Sequence, residues 1–474
     1  MTSTVDTSTA PPPGGSPPGL PPLDRFLPKR SAGLKLLLVC ALALVMAIPA
    51  LFVYGVVHER TLGARQAMTE VAEKVGGNQT VLGPFLTVPY ARAPNPDKPE
   101  TLIYGTAIAF AETGTVAANV TVEERKRGIY LVPVFEAQME MDAVFDPQAL
   151  RDALPYDAVP VWSDARIYTG VADIRGLRGD LVLTANGERL AVEPATSSGY
   201  REPGEYNPVP ASAVRLAAAE LAGLETREGP LTISLSLGIS GAERLALAPF
   251  AKTTSMTMAS NWEDPSFTGG VLPLEHTAGE DGVEGFKASW EVPYLARGVP
   301  GAGARIDLNQ LTNWDAHDMA VKFVRPANPY QSVERALKYA AMFIGFVCLT
   351  YFLFEVTQSA RAHPAQYVLV GLAQSIFYLL LLAFAERMGF DIAFLLAAGM
   401  TVGLIAAYSV SVFKSLATGV KALGVLSGIY GLIYVLMRAE DQALLAGAIA
   451  SFAAIALTMF MTRNVNWYGD RAPA

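Results

Sequence analysis

Residues 34–57 read LKLLLVCALALVMAIPALFVYGVV, an apolar run near the N-terminus of a 474-residue chain. A helix of about 20 apolar residues is long enough to cross a bilayer. The other long apolar runs all follow Lys338, and residues 58–337 lie between with a more polar, strand-like pattern. This layout predicts one membrane anchor, a large water-soluble domain and a C-terminal helical membrane bundle.

The first run could instead be a signal peptide, whose apolar region is only about 7–15 residues long. Leu36–Val57 exceeds that length, so we favour a retained anchor over a cleaved segment. Ahead of the anchor, residues 1–32 are rich in Pro and Gly and are predicted to form a disordered tail. Basic residues beside a first span, here Arg25, Lys29, Arg30 and Lys35, favour keeping that end in the cytoplasm.

The amino-acid composition indicates a membrane protein and excludes several functions for residues 58–337. Hydrophobic residues make up 51% of the chain and charged residues 17%, which is typical of a membrane protein. Residues 58–337 carry 36 acidic and 24 basic side chains, a net charge of −12. Such an acidic domain argues against nucleic acid and against docking on anionic lipid. Both cysteines, Cys40 and Cys348, fall in predicted spans, so residues 58–337 can form neither a disulfide nor a thiolate metal site.

Helical spacing of apolar residues from Leu62 to Val75 predicts that the first helix continues beyond the anchor and stops at Gly76-Gly77. Strand patterns follow, the clearest being residues 231–239, LTISLSLGI, where apolar and small or polar residues alternate. Similar runs occur at Leu102–Phe110, Thr115–Val122, Gly128–Phe135, Asp180–Leu183, Ala246–Phe250 and Phe286–Val292. Two helices are predicted among them, Pro147–Leu154 and Ala211–Leu224. Many strands with few helices indicate an antiparallel sandwich or a folded sheet.

Five further spans are predicted after the polar domain: 339–356, 366–385, 388–408, 415–437 and 442–461. The predicted fold is therefore an α+β membrane protein. Its parts are a tail (1–32), a first span (33–57), a β-rich domain (58–337), a five-helix bundle (338–462) and a second tail (463–474). If the first span runs outward, both chain ends are cytoplasmic and the β-rich domain is periplasmic. Short segments then carry nine basic residues inside and two outside, Arg387 and Arg438, which supports this orientation.

Three segments of the chain carry a family resemblance. The first is residues 260–273, SNWEDPSFTGGVLP, with Ser260, Trp262, Pro265, Ser266, Phe267, Gly269 and Pro273. The second follows the second span, with His363, Pro364, Gln366 and Tyr367, and a third is Leu295-Ala296-Arg297. These segments resemble the CreD family of bacterial inner-membrane proteins, and residues 260–273 match a signature segment of that family. Glu386-Arg387 stands where the family has a Glu-His pair. The resemblance implies an inner-membrane protein with a periplasmic domain, associated with cell-envelope integrity and colicin tolerance, and no established reaction.

Among four histidines, His317 in Trp314-Asp315-Ala-His317-Asp318 offers the best candidate for metal binding or catalysis. A catalytic zinc needs three protein ligands and this spacing supplies two, so we favour a surface turn. Paired acids such as Glu263-Asp264 are interpreted as a solvated face. Hydrolase, zinc-protease and phosphate-loop motifs are missing from the sequence. We therefore predict no catalytic residue, no metal site and no cofactor.

Polar residues inside spans are costly and hence informative. The candidates are Gln374 and Tyr378 in the third span and Asp391 near the outer end of the fourth. They could line a polar path or a small-molecule site. Alternatively, interfacial charges pair or reach water, for example Asp391 with Arg387 or Arg438, and Gln374 makes one interhelical hydrogen bond. We favour this structural interpretation.

The expected function is a non-enzymatic role in envelope integrity and stress tolerance, exerted through the periplasmic domain. The alternative is a transporter or lipid-handling permease whose periplasmic domain receives the substrate. Expected partners are inner-membrane lipids and an envelope protein, whereas nucleic acid is excluded. The sequence leaves the oligomeric state open.

Overall fold

The computed structural model describes residues 32–93, 102–195, 215–278, 285–304, 306, 317–323, 329–358, 362–438, 443–465 and 467. The chain divides into two compact units, one holding residues 1–59 and 329–474 and the other residues 60–328. The first helix, α1 (Ala32–Val75), contributes to both units. The predicted Pro-rich tail lies outside the described residues.

The helical unit contains α1 up to Glu59 and six further helices in its described residues. These are α4 (Pro329–Lys338), α5 (Ala340–Gln358), α6 (Pro364–Met388), α7 (Phe390–Phe413), α8 (Leu416–Arg438) and α9 (Ala443–Thr462). Within the described part of the chain, α1 and α5–α9 are the six helices that are long and apolar enough to cross a membrane. The prediction of six spans is confirmed. The amphipathic α4 precedes them and was not predicted as a separate helix.

The second unit is β-rich. Its strands are β1 (Gln79–Arg92), β2 (Ile103–Arg127), β3 (Tyr130–Phe145), β4 (Ala158–Pro160), β5 (Arg166–Val171), β6 (Leu177–Ala185), β7 (Glu188–Arg189), β8 (Glu193–Pro194), β9 (Arg215–Glu220), β10 (Leu231–Ala242), β11 (Arg244–Ala248), β12 (Ala251–Ser260), β13 (Pro265–Thr268), β14 (Glu275–Ala278), β15 (Phe286–Val292), β16 (Ala302–Gly303) and β17 (Met319–Phe323). Two short helices, α2 (Pro147–Asp152) and α3 (Tyr294–Arg297), accompany them.

The long strand β2 takes part in two sheets. Its first part pairs antiparallel with β1, with Phe110 opposite Phe85. Its second part pairs antiparallel with β3 and parallel with β12. The sequence divided this strand into two runs, but residues 111–114 stay extended and join them. Most other pairings are antiparallel, so the predicted antiparallel character of this region is confirmed.

The core of the β-rich unit follows the predicted alternation. In β10 the side chains of Leu231, Ile233, Leu235, Leu237 and Ile239 are buried while the residues between them are more exposed. They form one apolar cluster with buried residues of β3 and β12. Burying apolar surface is the main source of stability in such a core.

The predicted continuation of α1 is confirmed. The helix ends at Val75, and Gly76 and Gly77 follow with φ of 102° and 60°, the left-handed conformation that glycine adopts without strain. Met68, Val71 and Ala72 of its last turns pack on a small buried cluster that includes Val75. The predicted helix at Pro147 is also present, and Asp146 caps it by accepting a hydrogen bond from Gln148 N at 2.9 Å.

The predicted helix over Ala211–Leu224 is wrong. Residues 211–214 lie outside the described residues, and Arg215–Glu220 form strand β9, antiparallel to β5. Alanine favours helices only weakly, and pairing with an adjacent strand overrides that preference. Leu216, Ala218 and Ala219 become buried in the sheet, which offsets the lost local propensity.

Candidate functional sites

The predicted metal or catalytic cluster is only partly described, because Trp314 and Asp315 lie outside the described residues. Asp318 is buried and forms an ion pair with Arg244 of β11, with 2.5 Å between Oδ2 and Nη2. Over the described ranges, no group of three His, Cys, Asp or Glu side chains is placed to hold a metal ion. Asp318 therefore holds β11 to the start of β17, which is a structural role.

Arg297 at the end of α3 is completely buried, which the sequence did not predict. Its guanidinium carbon lies 3.7 Å from the centre of the Phe110 ring, and its Nε donates to Pro249 O at 3.2 Å. Nη1 and Nη2 have no hydrogen-bond partner in the described structure. Burial lowers the pKa of Arg297 to about 9. Because this value is still above neutral pH, the side chain stays charged there.

The signature segment, residues 260–273, leaves the end of β12, forms β13 and runs on towards β14. Asn261 ties its start to β2, since its Oδ1 accepts from Val122 N at 2.8 Å and its Nδ2 donates to Val122 O at 3.1 Å. Trp262 Nε1 donates to Asp264 O at 3.0 Å, which closes the turn before β13. These bonds give the segment one defined conformation.

The structure explains why position 269, one of the residues of the family resemblance, is a glycine. Its φ is 101°, and a Cβ atom built there would lie 2.4 Å from Asp318 Oδ1 and 2.6 Å from Asp318 O. Any larger residue would push the loop away from the buried Asp318–Arg244 pair. The glycine is therefore required by close packing as well as by backbone conformation.

A cleft of about 470 Å³ lies beside the signature segment. We call it the signature cleft, and its lining residues are Glu263, Asp264, Pro265, Ser266, Phe267, His276, Thr277, Ala278 and Phe286. The Phe267 ring packs edge-on against Phe286 and Trp290, with ring centres 5.8 Å apart in both cases, and lies 5.4 Å from the His276 ring. The cleft thus combines an aromatic floor with two carboxylates and an imidazole.

Two short strands border the signature cleft. β13 pairs with β17, and β14 pairs with β15. In the described chain β13 is paired with β17 alone and β14 with β15 alone, and all four residues of β14 are exposed. A free strand edge beside an aromatic pocket can accept an extended peptide through main-chain hydrogen bonds. The sequence could not predict this cleft, because its lining comes from three separate strands.

The predicted intramembrane candidates do not form one site. Gln374 and Tyr378 lie one turn apart on the same buried face of α6. Gln374 Oε1 has no hydrogen-bond partner in the described part of the bundle, so the predicted interhelical bond through this oxygen is not seen. Asp391 lies in the first turn of α7 and is half-exposed.

Asp391 pairs with Arg438, as the structural alternative predicted. Its Oδ2 accepts a hydrogen bond from Arg438 Nη2, and its Oδ1 accepts one from Tyr434 Oη at 3.0 Å. Both Arg438 and Tyr434 belong to α8, so these bonds join the start of α7 to the end of α8. The same carboxylate also lines a groove, which the sequence did not reveal.

This groove has a volume of about 550 Å³ and lies between α7 and α8. We call it the α7–α8 groove, and it is lined by Asp391, Phe394, Leu395, Ala398, Gly399, Val402, Gly403, Leu423, Ser427, Tyr430, Gly431 and Tyr434. Gln374 and Tyr378 are not among them. The lining is mostly apolar, and its charged group lies at one end.

A second polar cluster joins three membrane helices and was not predicted as a cluster. Glu355 of α5 is buried and accepts hydrogen bonds from Lys35 Nζ of α1 and from Tyr367 Oη of α6, the latter at 3.0 Å. It also accepts from Ala362 N at 3.0 Å. Tyr367 is one of the family-match residues, and His363 with Gln366 forms the capping box that starts its helix. The second family match therefore positions a buried ion-pair cluster.

Comparison with known proteins gives matches over nearly the whole chain. A family model described as "Inner membrane protein CreD" matches residues 31–468. The chain is 29% identical over 435 residues to the inner membrane protein CreD of Escherichia coli (strain K12), covering 91% of this chain and 92% of that relative. The family match includes the signature cleft, the Glu355 cluster and the α7–α8 groove. The predicted family resemblance is confirmed.

Proposed function

Because this chain belongs to the CreD family of inner membrane proteins, we propose that it supports cell-envelope integrity by binding an envelope partner, without catalysing a reaction. The observation that carries this proposal is the signature cleft. The signature segment, residues 260–273, lines a pocket with an aromatic floor and bordering strand edges. Such a pocket suits recognition of an extended peptide segment.

The proposed orientation places the β-rich unit in the periplasm and both chain ends in the cytoplasm. The excess of Lys and Arg in the segments assigned to the cytoplasm supports this. In that compartment the signature cleft would meet envelope proteins, and colicin tolerance and stress survival would be the phenotypes affected.

A cleft-blocking substitution tests the proposal. In a strain lacking its own copy, Thr277→Arg should abolish rescue of envelope-stress survival, because Thr277 is exposed and lines the cleft. Thr232→Arg is the matched control, since Thr232 is an exposed strand residue on β10 that does not line the cleft. Equal rescue by both variants, at equal membrane levels, would exclude the cleft as the working site.

A second substitution tests whether the role is non-enzymatic. Replacing Asp315 and His317 by alanine removes the pair with the best spacing for a ligand or a general base. We expect unchanged rescue of the stress phenotype. Loss of rescue with normal protein levels would show that chemistry at this pair is required.

The second candidate function is a transporter or lipid-handling permease, and the α7–α8 groove favours it because Asp391 lines that groove. The buried positions of Gln374 and Tyr378 count against a continuous polar path. Lipid or solute movement in vesicles containing the purified protein would support this function. Loss of that movement in an Asp391→Asn variant would assign it to the groove.

A further inference from the structure

The length of the α7–α8 groove along the helix axis is close to the thickness of one membrane leaflet. Asp391 at one end and Gly403 near the other are 12 residues apart on the same helix. At 1.5 Å per residue this corresponds to about 18 Å. Half of a hydrocarbon core about 30 Å thick is about 15 Å. A single acyl chain that follows the groove from the interface would therefore end near the middle of the bilayer.

Three glycines of the groove have empty space beside their Cα atoms, where no described residue of the bundle packs. A Cβ atom added at Gly399, Gly403 or Gly431 would meet nothing within 4 Å. By contrast, a Cβ atom at Gly371 would lie 2.5 Å from Met46, which is a close helix contact. Gly399 and Gly403 are exposed on the outer face of α7. The groove thus opens towards the lipid and is suited to an apolar chain.

The polarity of the groove is asymmetric. Its charged residue, Asp391, and the neighbouring Arg438 lie at one end, while the other end is formed by apolar residues such as Leu423. The side chains of Asp391 and Arg438 are 54% and 53% exposed, so a ligand can reach both charges. A phospholipid with an ammonium and a phosphate in its headgroup has the same asymmetry, with two opposite charges above an apolar chain.

We propose that the α7–α8 groove binds one phospholipid of the inner membrane, whose headgroup carries both an ammonium group and a phosphate. The ammonium group donates to Asp391, Arg438 donates to the phosphate, and one acyl chain lies along Gly399 and Gly403. Binding at this site requires neither transport nor the envelope role proposed above, because the signature cleft belongs to the other unit.

The test uses the full-length protein in vesicles of phosphatidylethanolamine and phosphatidylglycerol. Each lipid in turn is supplied in trace amounts with a photoreactive group on its acyl chain. We expect the phosphatidylethanolamine probe to label α7 and α8 peptides. Gly403→Leu should reduce this labelling about tenfold, the change expected when about 1.4 kcal/mol of binding free energy is lost.

Gly428→Leu is the matched control. Gly428 lies on α8 outside the groove lining, and a Cβ atom there also meets nothing within 4 Å. It should leave the labelling unchanged. Asp391→Asn and Arg438→Gln should remove the preference for phosphatidylethanolamine over phosphatidylglycerol while the acyl chain still labels the groove, which tests headgroup recognition separately from groove shape.

Two results would overturn the proposal. Equal labelling of both probes, unaffected by Gly403→Leu, would mean that the groove contacts bulk lipid only. Crosslinking of α7 to α8 of a second copy, abolished by Gly403→Leu, would show that another protein chain occupies the groove.

Discussion

Gln79 at the start of β1 is a completely buried glutamine whose amide contacts four backbone groups. Its Nε2 donates to Gly76 O and Asp173 O, both at 2.9 Å, and to Ser240 O at 3.3 Å. Its Oε1 accepts from Asp173 N at 3.2 Å. One side chain therefore holds together the turn after α1, the start of β1, the segment after β5 and the end of β10.

Gln79→Leu should lower the free energy of unfolding by about 2–4 kcal/mol, because it leaves several buried backbone groups without partners. Gln138→Leu is the control, since Gln138 is exposed on β3 and should change stability by less than about 0.5 kcal/mol. Thermal or urea unfolding of the full-length protein, followed by tryptophan fluorescence, measures both. Equal effects of the two substitutions would refute the structural role of Gln79.

Arg297 is the opposite case, a buried charge whose described contacts are one hydrogen bond and one aromatic ring. Arg297→Met should leave the free energy of unfolding unchanged or raise it by up to about 3 kcal/mol, since apolar replacements of poorly compensated buried charges behave in this way. The same unfolding assay measures it. A loss above about 2 kcal/mol would mean that the guanidinium stabilises the fold by more than its contacts explain.

Neither residue could have been assigned its role from the sequence. Gln79 stands beside Asn78 in a polar stretch, and apart from the nearby Gly76 its partners, Asp173 and Ser240, come from two distant segments. Arg297 was singled out only as part of a family resemblance. Burial and partners of single polar residues depend on the tertiary fold, which local pattern does not contain.

At the level of elements, two ion pairs join membrane helices but differ in burial. Lys35 and Glu355 join α1 to α5, and the Glu355 side chain is only 6% exposed. Asp391 and Arg438 join α7 to α8 and are about half-exposed. The coupling free energy between two opposite charges is larger where water cannot replace either partner.

A double-mutant cycle should separate the two pairs. Lys35→Met with Glu355→Gln should give a coupling free energy of about 2 kcal/mol or more. Arg438→Met with Asp391→Asn should give less than about 1 kcal/mol. Thermal unfolding of the detergent-solubilised protein provides both values. Similar coupling in the two cycles would contradict the burial assigned to Glu355.

Elements with strong periodicity were predicted well, and those decided by long-range pairing were not. The apolar spans were placed within a few residues, because length and hydropathy determine them locally. The run Ala211–Leu224 was predicted as a helix, whereas Arg215–Glu220 pair with β5 as a strand. The signature cleft was also missed, since Phe267, His276 and Phe286 come together only through the arrangement of β13, β14 and β15.

At the level of the whole molecule, the alternation of apolar and polar blocks predicted one anchor, a β-rich region and a helical bundle, all of which the structure contains. The candidate residues Gln374, Tyr378 and Asp391 were chosen for the cost of polar groups in hydrocarbon. Of the three, Asp391 lines the α7–α8 groove, whereas Gln374 and Tyr378 do not. Hydropathy identifies a costly residue but not the space beside it, so the groove could not be predicted.

The central claim is that the β-rich unit works outside the cytoplasm, where its cleft can meet an envelope partner. Thr232→Cys provides a test, because Thr232 is exposed and the native Cys40 and Cys348 both lie in membrane-crossing helices. A membrane-impermeant maleimide should label the introduced cysteine in intact spheroplasts and leave the unsubstituted protein unlabelled. Labelling of Thr232→Cys in inverted membrane vesicles alone would place this unit in the cytoplasm and contradict the account.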